Sequence, residues 1–87
     1  MASHYSILWK NSAAKELSRL ENTARSRVLA AVSKLAEDAY PAGMRKLHGT
    51  EHTFRLRVGE YRVVFSVDPG SRAVTVLRVR HRREVYR

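Results

Sequence analysis

Nine arginines and no lysine lie between Phe54 and Arg87, and several of them alternate with apolar residues, as in Phe54-Arg55-Leu56-Arg57-Val58 and Leu77-Arg78-Val79-Arg80. A guanidinium is a planar, permanently charged fork that matches phosphate oxygens, so a nucleic-acid backbone is the first ligand this chemistry suggests. Beside these arginines stands the ending Val79-Arg80-His81-Arg82-Arg83-Glu84-Val85-Tyr86-Arg87. Cleaving RNA without a metal requires a base for the ribose 2′-hydroxyl, cations for the developing phosphorane charge and an acid for the leaving oxygen. Arginine serves the second need but neither of the others, because its pKa exceeds about 12. Two residues are candidates for the proton transfers. Tyr86 carries a phenol whose pKa neighbouring cations would lower. His81, amid Arg80, Arg82 and Arg83, is disfavoured in its protonated form by the same charges. Each also has a plainer use, Tyr86 as a clamp for the tail or a stacking surface for a base, and His81 as packing at a strand end.

Other chemistries find little support. There is no cysteine, hence no disulfide and no thiolate metal site. Of the four histidines, His4, His48, His52 and His81, only His48 and His52 have an i, i+4 spacing, and they fall in an expected loop with Glu51 as the nearby carboxylate. Paired carboxylates for two-metal hydrolysis, a glycine-rich phosphate loop and a nucleophile motif are all missing, so neither metal nor cofactor is expected.

The arginines must be held by strands. Side chains alternate between the faces of a strand, so Phe54, Leu56 and Val58 can enter a core while Arg55 and Arg57 line up outside. By the same alternation Tyr61, Val63, Phe65 and Val67 point inward and Arg62 outward with Val64 and Ser66. In the next strand Thr75, Leu77 and Val79 read as inward, with Arg78 and Arg80 outward and Arg82 joining them if the strand continues. Gly59-Glu60 reads as a two-residue hairpin turn and Asp68-Pro69-Gly70-Ser71 as the next turn. This yields a three-stranded meander of residues 54–58, 61–67 and 73–81. Ahead of it, residues 4–9 read as a short opening strand with Tyr5, Ile7 and Trp9 on one face. Asn11 or Ser12 is placed to cap a helix over residues 13–20, and Asn22 or Thr23 a second one. In that second helix Val28, Ala31, Val32 and Leu35 form an apolar stripe, and the helix is expected to run to about Asp38. Tyr40-Pro41-Ala42-Gly43 ends it, residues 44–53 read as a connection, and residues 82–87 as an unassigned tail. The fold expected is α+β: a short N-terminal strand, a helical hairpin, and a three-stranded antiparallel meander whose one face the helices cover.

At 87 residues the chain is expected to be a single domain spanning 1–87, with a modest core. The net charge is +9, of which residues 1–43 hold +2 and residues 44–87 hold +7. Arginines gathered from adjacent strands repel one another unless an anion lies between them, which favours a binding face over a merely solvated edge. The N-terminus lacks a charged start followed by a long apolar run, so neither a membrane span nor export is expected, and a cytoplasmic location is.

Phe54-Arg55-Leu56-Arg57, Gly59-Glu60-Tyr61-Arg62-Val63-Val64-Phe65 and the ending from Val79 to Arg87, in this order of elements, resemble the RelE/ParE toxin superfamily. The resemblance covers almost the whole chain. It implies the RelE-like microbial RNase fold and the toxin half of a type II toxin–antitoxin pair, with a cognate antitoxin protein as partner. In the RelE branch it implies metal-independent cleavage of mRNA in the ribosomal A site, which stops translation. On that basis Arg62 and Arg82 match phosphate-contacting arginines, and Tyr86 matches the C-terminal tyrosine proposed as base. Arg55 and Arg57 match a basic pair that is usually lysine. Arg82 is preferred to Arg80 because it follows the histidine, as in the family's ending, whereas an alignment without a gap chooses Arg80 against some members. Arg55, Arg57, Arg78, Arg80 and Arg83 are then expected to guide RNA, with Arg62, Arg82, Tyr86 and His81 at the reacting phosphate. Replacing the lysine pair by arginine matters, since arginine cannot serve as a base. The alternative within the superfamily is a ParE-like inhibitor of DNA gyrase with the same fold, and a plain RNA-binding module is a third reading.

Overall fold

A computed structural model of the chain describes residues 4–85. The elements run β1 (Ser6–Trp9), α1 (Asn11–Ser18), α2 (Asn22–Lys34), β2 (Arg45–Lys46), β3 (Thr53–Val58), β4 (Tyr61–Asp68), β5 (Ala73–His81) and the short α3 (Arg82–Val85). They form one sheet in the order β1-β5-β4-β3-β2, in which β1 runs parallel to β5 and all other pairs are antiparallel. The α+β architecture expected from the pattern is present, with β1 closing one edge of the meander.

The helical hairpin packs on one face of this sheet. Ala13 of α1, Val28 and Val32 of α2 and Leu35 just beyond it are buried against Phe54, Val63, Phe65, Val67, Val74, Val76 and Val79. Tyr5, Ile7 and Trp9 pack against the rim of this core, as their alternation implies. Neither Asn11 nor Ser12 caps α1. The cap position is Lys10, in extended conformation without a side-chain bond, and Asn11 is already helical. Arg25 ties α1 to α2, its guanidinium donating to the carbonyls of Ser18 and Leu20, both at 3.2 Å, and to the Asn22 side chain. The second helix ends at Lys34, earlier than its apolar stripe suggests. Its last turn tightens as Leu35 and Ala36 donate three residues back, to Val32 at 2.9 Å and Ser33 at 3.2 Å.

Two departures from the sequence reading shape the functional face. Residues 44–53 are more than a connection: Arg45 and Lys46 form β2, pairing with Arg55 and Phe54 at the sheet edge. In β5 the inward residues are Val74, Val76 and Val79, all buried, and not Thr75 and Leu77. Phe65 of β4 faces Val76 while Val64 faces Arg78, so Leu77 is an extra residue at a bulge that shifts the alternation by one. Up to Val76 the even-numbered residues face the helices, and from Val79 the odd-numbered ones do. The strand also stops at His81, so Arg82 opens α3 and does not extend the strand's outer row.

Candidate functional site

The face of the sheet turned away from the helices is ordered in rows by the strand register. Arg57, Arg62 and Arg80 stand side by side across β3, β4 and β5. The next row carries Arg45, Arg55, Val64 and Arg78 across β2 to β5. Beyond it the charge stops: Thr53, Ser66, Thr75 and Leu8 make the third row. Strand neighbours lie about 4.8 Å apart, so the first two rows concentrate guanidinium groups on a small area.

Arg62 sits in the middle of that area. It is the one buried charged side chain among the described residues, 8% exposed. A guanidinium has five N–H donors, and Arg62 uses Nη1 on the carbonyl of Tyr61 at 3.3 Å, its sole hydrogen bond among the described residues. Gly43, Arg45, Arg55, Arg57 and Arg62 line a cleft of about 410 Å³, with no carboxylate among the described residues that line it. Gly43 has a φ of 89°, the left-handed region open to glycine, and from there the chain enters β2 and sets Arg45 beside Arg55. Four converging cations, one of them a buried fork with unused donors, form a receptor for an anion with several oxygens.

The remaining sequence candidates are held apart from this cleft to different degrees. Arg78 and Arg80 share the carboxylate of Glu16 from α1, at 3.7 Å and 2.8 Å. Arg82 lies at the hairpin end of the sheet, where its backbone N–H donates to the Glu60 carbonyl at 2.7 Å and its Nε to the Glu60 carboxylate at 2.8 Å. Arg83 is exposed on α3, its N–H donating to Nδ1 of His81 at 3.2 Å. His81 faces the helix side of the sheet, its ring edge-on to Tyr61 with centroids 5.4 Å apart. There it borders a separate hollow with Glu21, Arg27 and Gly59. The strand alternation therefore puts His81 and Arg80 on opposite faces of β5, and His81 does not line the arginine cleft. Tyr86 lies outside the described residues.

Arg45, Gly43 and Glu16 complete the face without having been marked by the sequence pattern. Arg45 carried one signal, the rise in positive charge after residue 43, but a two-residue strand shows no alternation to reveal it.

The family model for the ParE toxin of type II toxin–antitoxin systems matches residues 7–86. No curated protein matches the chain. Among solved structures, a Pyrococcus horikoshii RelE–RelB complex matches with a TM-score of 0.82 and 26% identity over 91% of this chain and 96% of that one. A free Escherichia coli RelE toxin bearing two arginine-to-alanine substitutions matches with a TM-score of 0.77 and 28% identity, over 99% and 92% of the two chains. The intact Escherichia coli RelBE toxin–antitoxin complex matches with a TM-score of 0.77 and 25% identity, over 88% and 95%.

Proposed function

The chain belongs to the ParE toxin family of type II toxin–antitoxin systems, within the RelE/ParE superfamily, and we propose that it is a metal-independent endoribonuclease that cuts mRNA on the ribosome and so stops translation. The observation that carries this reading is the cleft of Arg45, Arg55, Arg57 and Arg62 around a guanidinium that is buried yet short of acceptors. A phosphate of the RNA chain supplies those acceptors. As the 2′-hydroxyl attacks, the phosphorus gains a fifth oxygen and the equatorial oxygens gain charge, which fixed N–H donors stabilise more in the transition state than in the ground state. The cations required are thus supplied by the chain itself.

The proton transfers fall to Tyr86, since His81 stands behind β5 and arginine cannot perform them. Arg82, exposed and paired with Glu60, joins the site by exchanging that carboxylate for the scissile phosphate. Arg55 and Arg57, and beyond them Arg78, Arg80 and Arg83, guide the strand. A cognate antitoxin is expected to hold the toxin silent, in line with the RelB-bound complexes among the structural neighbours, and the reaction is placed in the cytoplasm.

Induced expression without an antitoxin tests this. Growth should arrest, and primer extension should map new 5′ ends within translated messages. Arg62→Ala and Tyr86→Phe should each relieve the arrest; full toxicity in both would remove the assigned site. A second reading draws on the family model, which is that of the ParE toxin: inhibition of DNA gyrase. Loss of supercoiling activity in purified gyrase, with messages left intact, would establish that reading instead.

A further inference from the structure

His81 is the last residue of β5 and stands opposite Tyr61 in the ladder, its ring meeting that of Tyr61 edge-on at 84°. It lies on the helix side of the sheet, away from the arginine cleft, yet one of its bonds bears on the reaction. Its Nδ1 accepts the backbone N–H of Arg83 at 3.2 Å. Arg82 and Arg83 are the first two residues of α3. His81 therefore holds the cap position of that helix, and its side chain takes up the second N–H as a capping asparagine or serine does. The first N–H, that of Arg82, donates to the Glu60 carbonyl at 2.7 Å. A helix of four residues has little stability of its own, because nucleation costs more than a single turn returns. Its direction is set where it leaves the strand, by these two bonds. That direction matters, since α3 opens with Arg82, and Tyr86 follows its last residue, Val85, in the chain.

We infer that His81 is a positioning residue for the cleavage step: its Nδ1 caps α3 and so directs Arg82 and Tyr86 toward the scissile phosphate. This rests on the RNA reading above and on the roles it gives those two residues. Three uses of a histidine at this place make different demands. Proton transfer needs an imidazole, packing on Tyr61 needs a ring, and capping needs only an acceptor where Nδ1 stands. Asparagine carries its amide oxygen at the position of Nδ1. Glutamine carries it one carbon further out, near the position of Nε2, and phenylalanine keeps the ring without any acceptor.

Cleavage of messages on programmed ribosomes by the full chain, compared among wild type, His81→Asn, His81→Gln and His81→Phe, separates these uses. His81→Asn should cut at close to the wild-type rate. His81→Gln and His81→Phe should each lose about fivefold in kcat, the factor that one helix cap carries, with KM little changed because the arginine cleft is left intact. Hydrogen exchange followed by nitrogen-15 NMR supplies a readout besides activity: the Arg83 amide should exchange faster in His81→Gln and His81→Phe than in wild type and His81→Asn. A rate in His81→Asn as low as that of His81→Phe, a wild-type rate in His81→Phe, or an Arg83 amide that exchanges alike in all four proteins overturns the inference. A wild-type chain that leaves ribosome-bound messages intact overturns the RNA reading and the positioning role with it. Wild-type cleavage together with any of the three results just named overturns the positioning role alone.

Discussion

Arg62 joins two properties that are rarely combined, burial and a surplus of donors. Burying a charge costs several kcal/mol unless partners are supplied, and here they are to come from the ligand. Arg62→Lys keeps the charge but loses the planar fork, so the cleavage rate at saturating RNA should fall by about 100-fold, the usual scale for one fixed donor at a charged transition state. Binding should weaken far less, and single-turnover kinetics read the two separately. The position of Arg62 could be inferred from the sequence because Tyr61, Val63, Phe65 and Val67 leave it nowhere to point but outward. Its burial could not, since that depends on which side chains flank it from other strands. Glu16 was hidden for the same reason: it reaches Val79 and Arg80 from more than sixty residues away in the chain, and nothing local to α1 marks it.

Two elements decide which side chains reach that face. The segment Ala73-Val74-Thr75-Val76-Leu77 offers residues that suit a sheet interior at both parities, so alternation cannot choose between Val74 with Val76 and Thr75 with Leu77. The bulge at Leu77 chooses, and by shifting parity it keeps Val76 and Val79 in the core while Arg78 and Arg80 stay outside. Val76→Ala should therefore destabilise the protein by about 2–3 kcal/mol and Leu77→Ala by less than about 1 kcal/mol, measured by urea unfolding. Placing Thr75 and Leu77 in the core predicts the reverse order. The turn after β4 was legible from Asp68-Pro69-Gly70-Ser71 itself. Asp68 Oδ1 accepts the N–H groups of Gly70 at 3.0 Å and Ser71 at 3.3 Å. A hydrogen bond from the Ser71 side chain, and then these backbone N–H groups, hold the Asp68 carboxyl below its usual pKa. A carboxylate whose folded pKa is lowered stabilises the fold above its unfolded value, and that contribution is lost as pH falls through the folded value. Melting temperatures taken from about pH 5 down to about pH 2 should thus drop less steeply in Asp68→Asn than in wild type.

Over the whole molecule, charge and fold divide the surface into two unequal parts. The helices cover one side of the sheet, and the other side carries two rows of arginine that end abruptly at Thr53, Ser66 and Thr75. A net charge of +9 spread evenly would attract RNA from every direction and release counterions in proportion to all 17 basic residues. A cleft formed by Arg45, Arg55, Arg57 and Arg62 makes a narrower demand. Single strands release about 0.7 counterion per neutralised phosphate, so four such contacts give a slope of about −3 when the logarithm of affinity is plotted against that of salt. Arg45→Ala should flatten that slope by about 0.7, while Lys34→Ala, on the helix side, should leave it unchanged. Equal effects from both substitutions would mean that the attraction belongs to the surface at large, and the edge strand β2 would lose its part in the site.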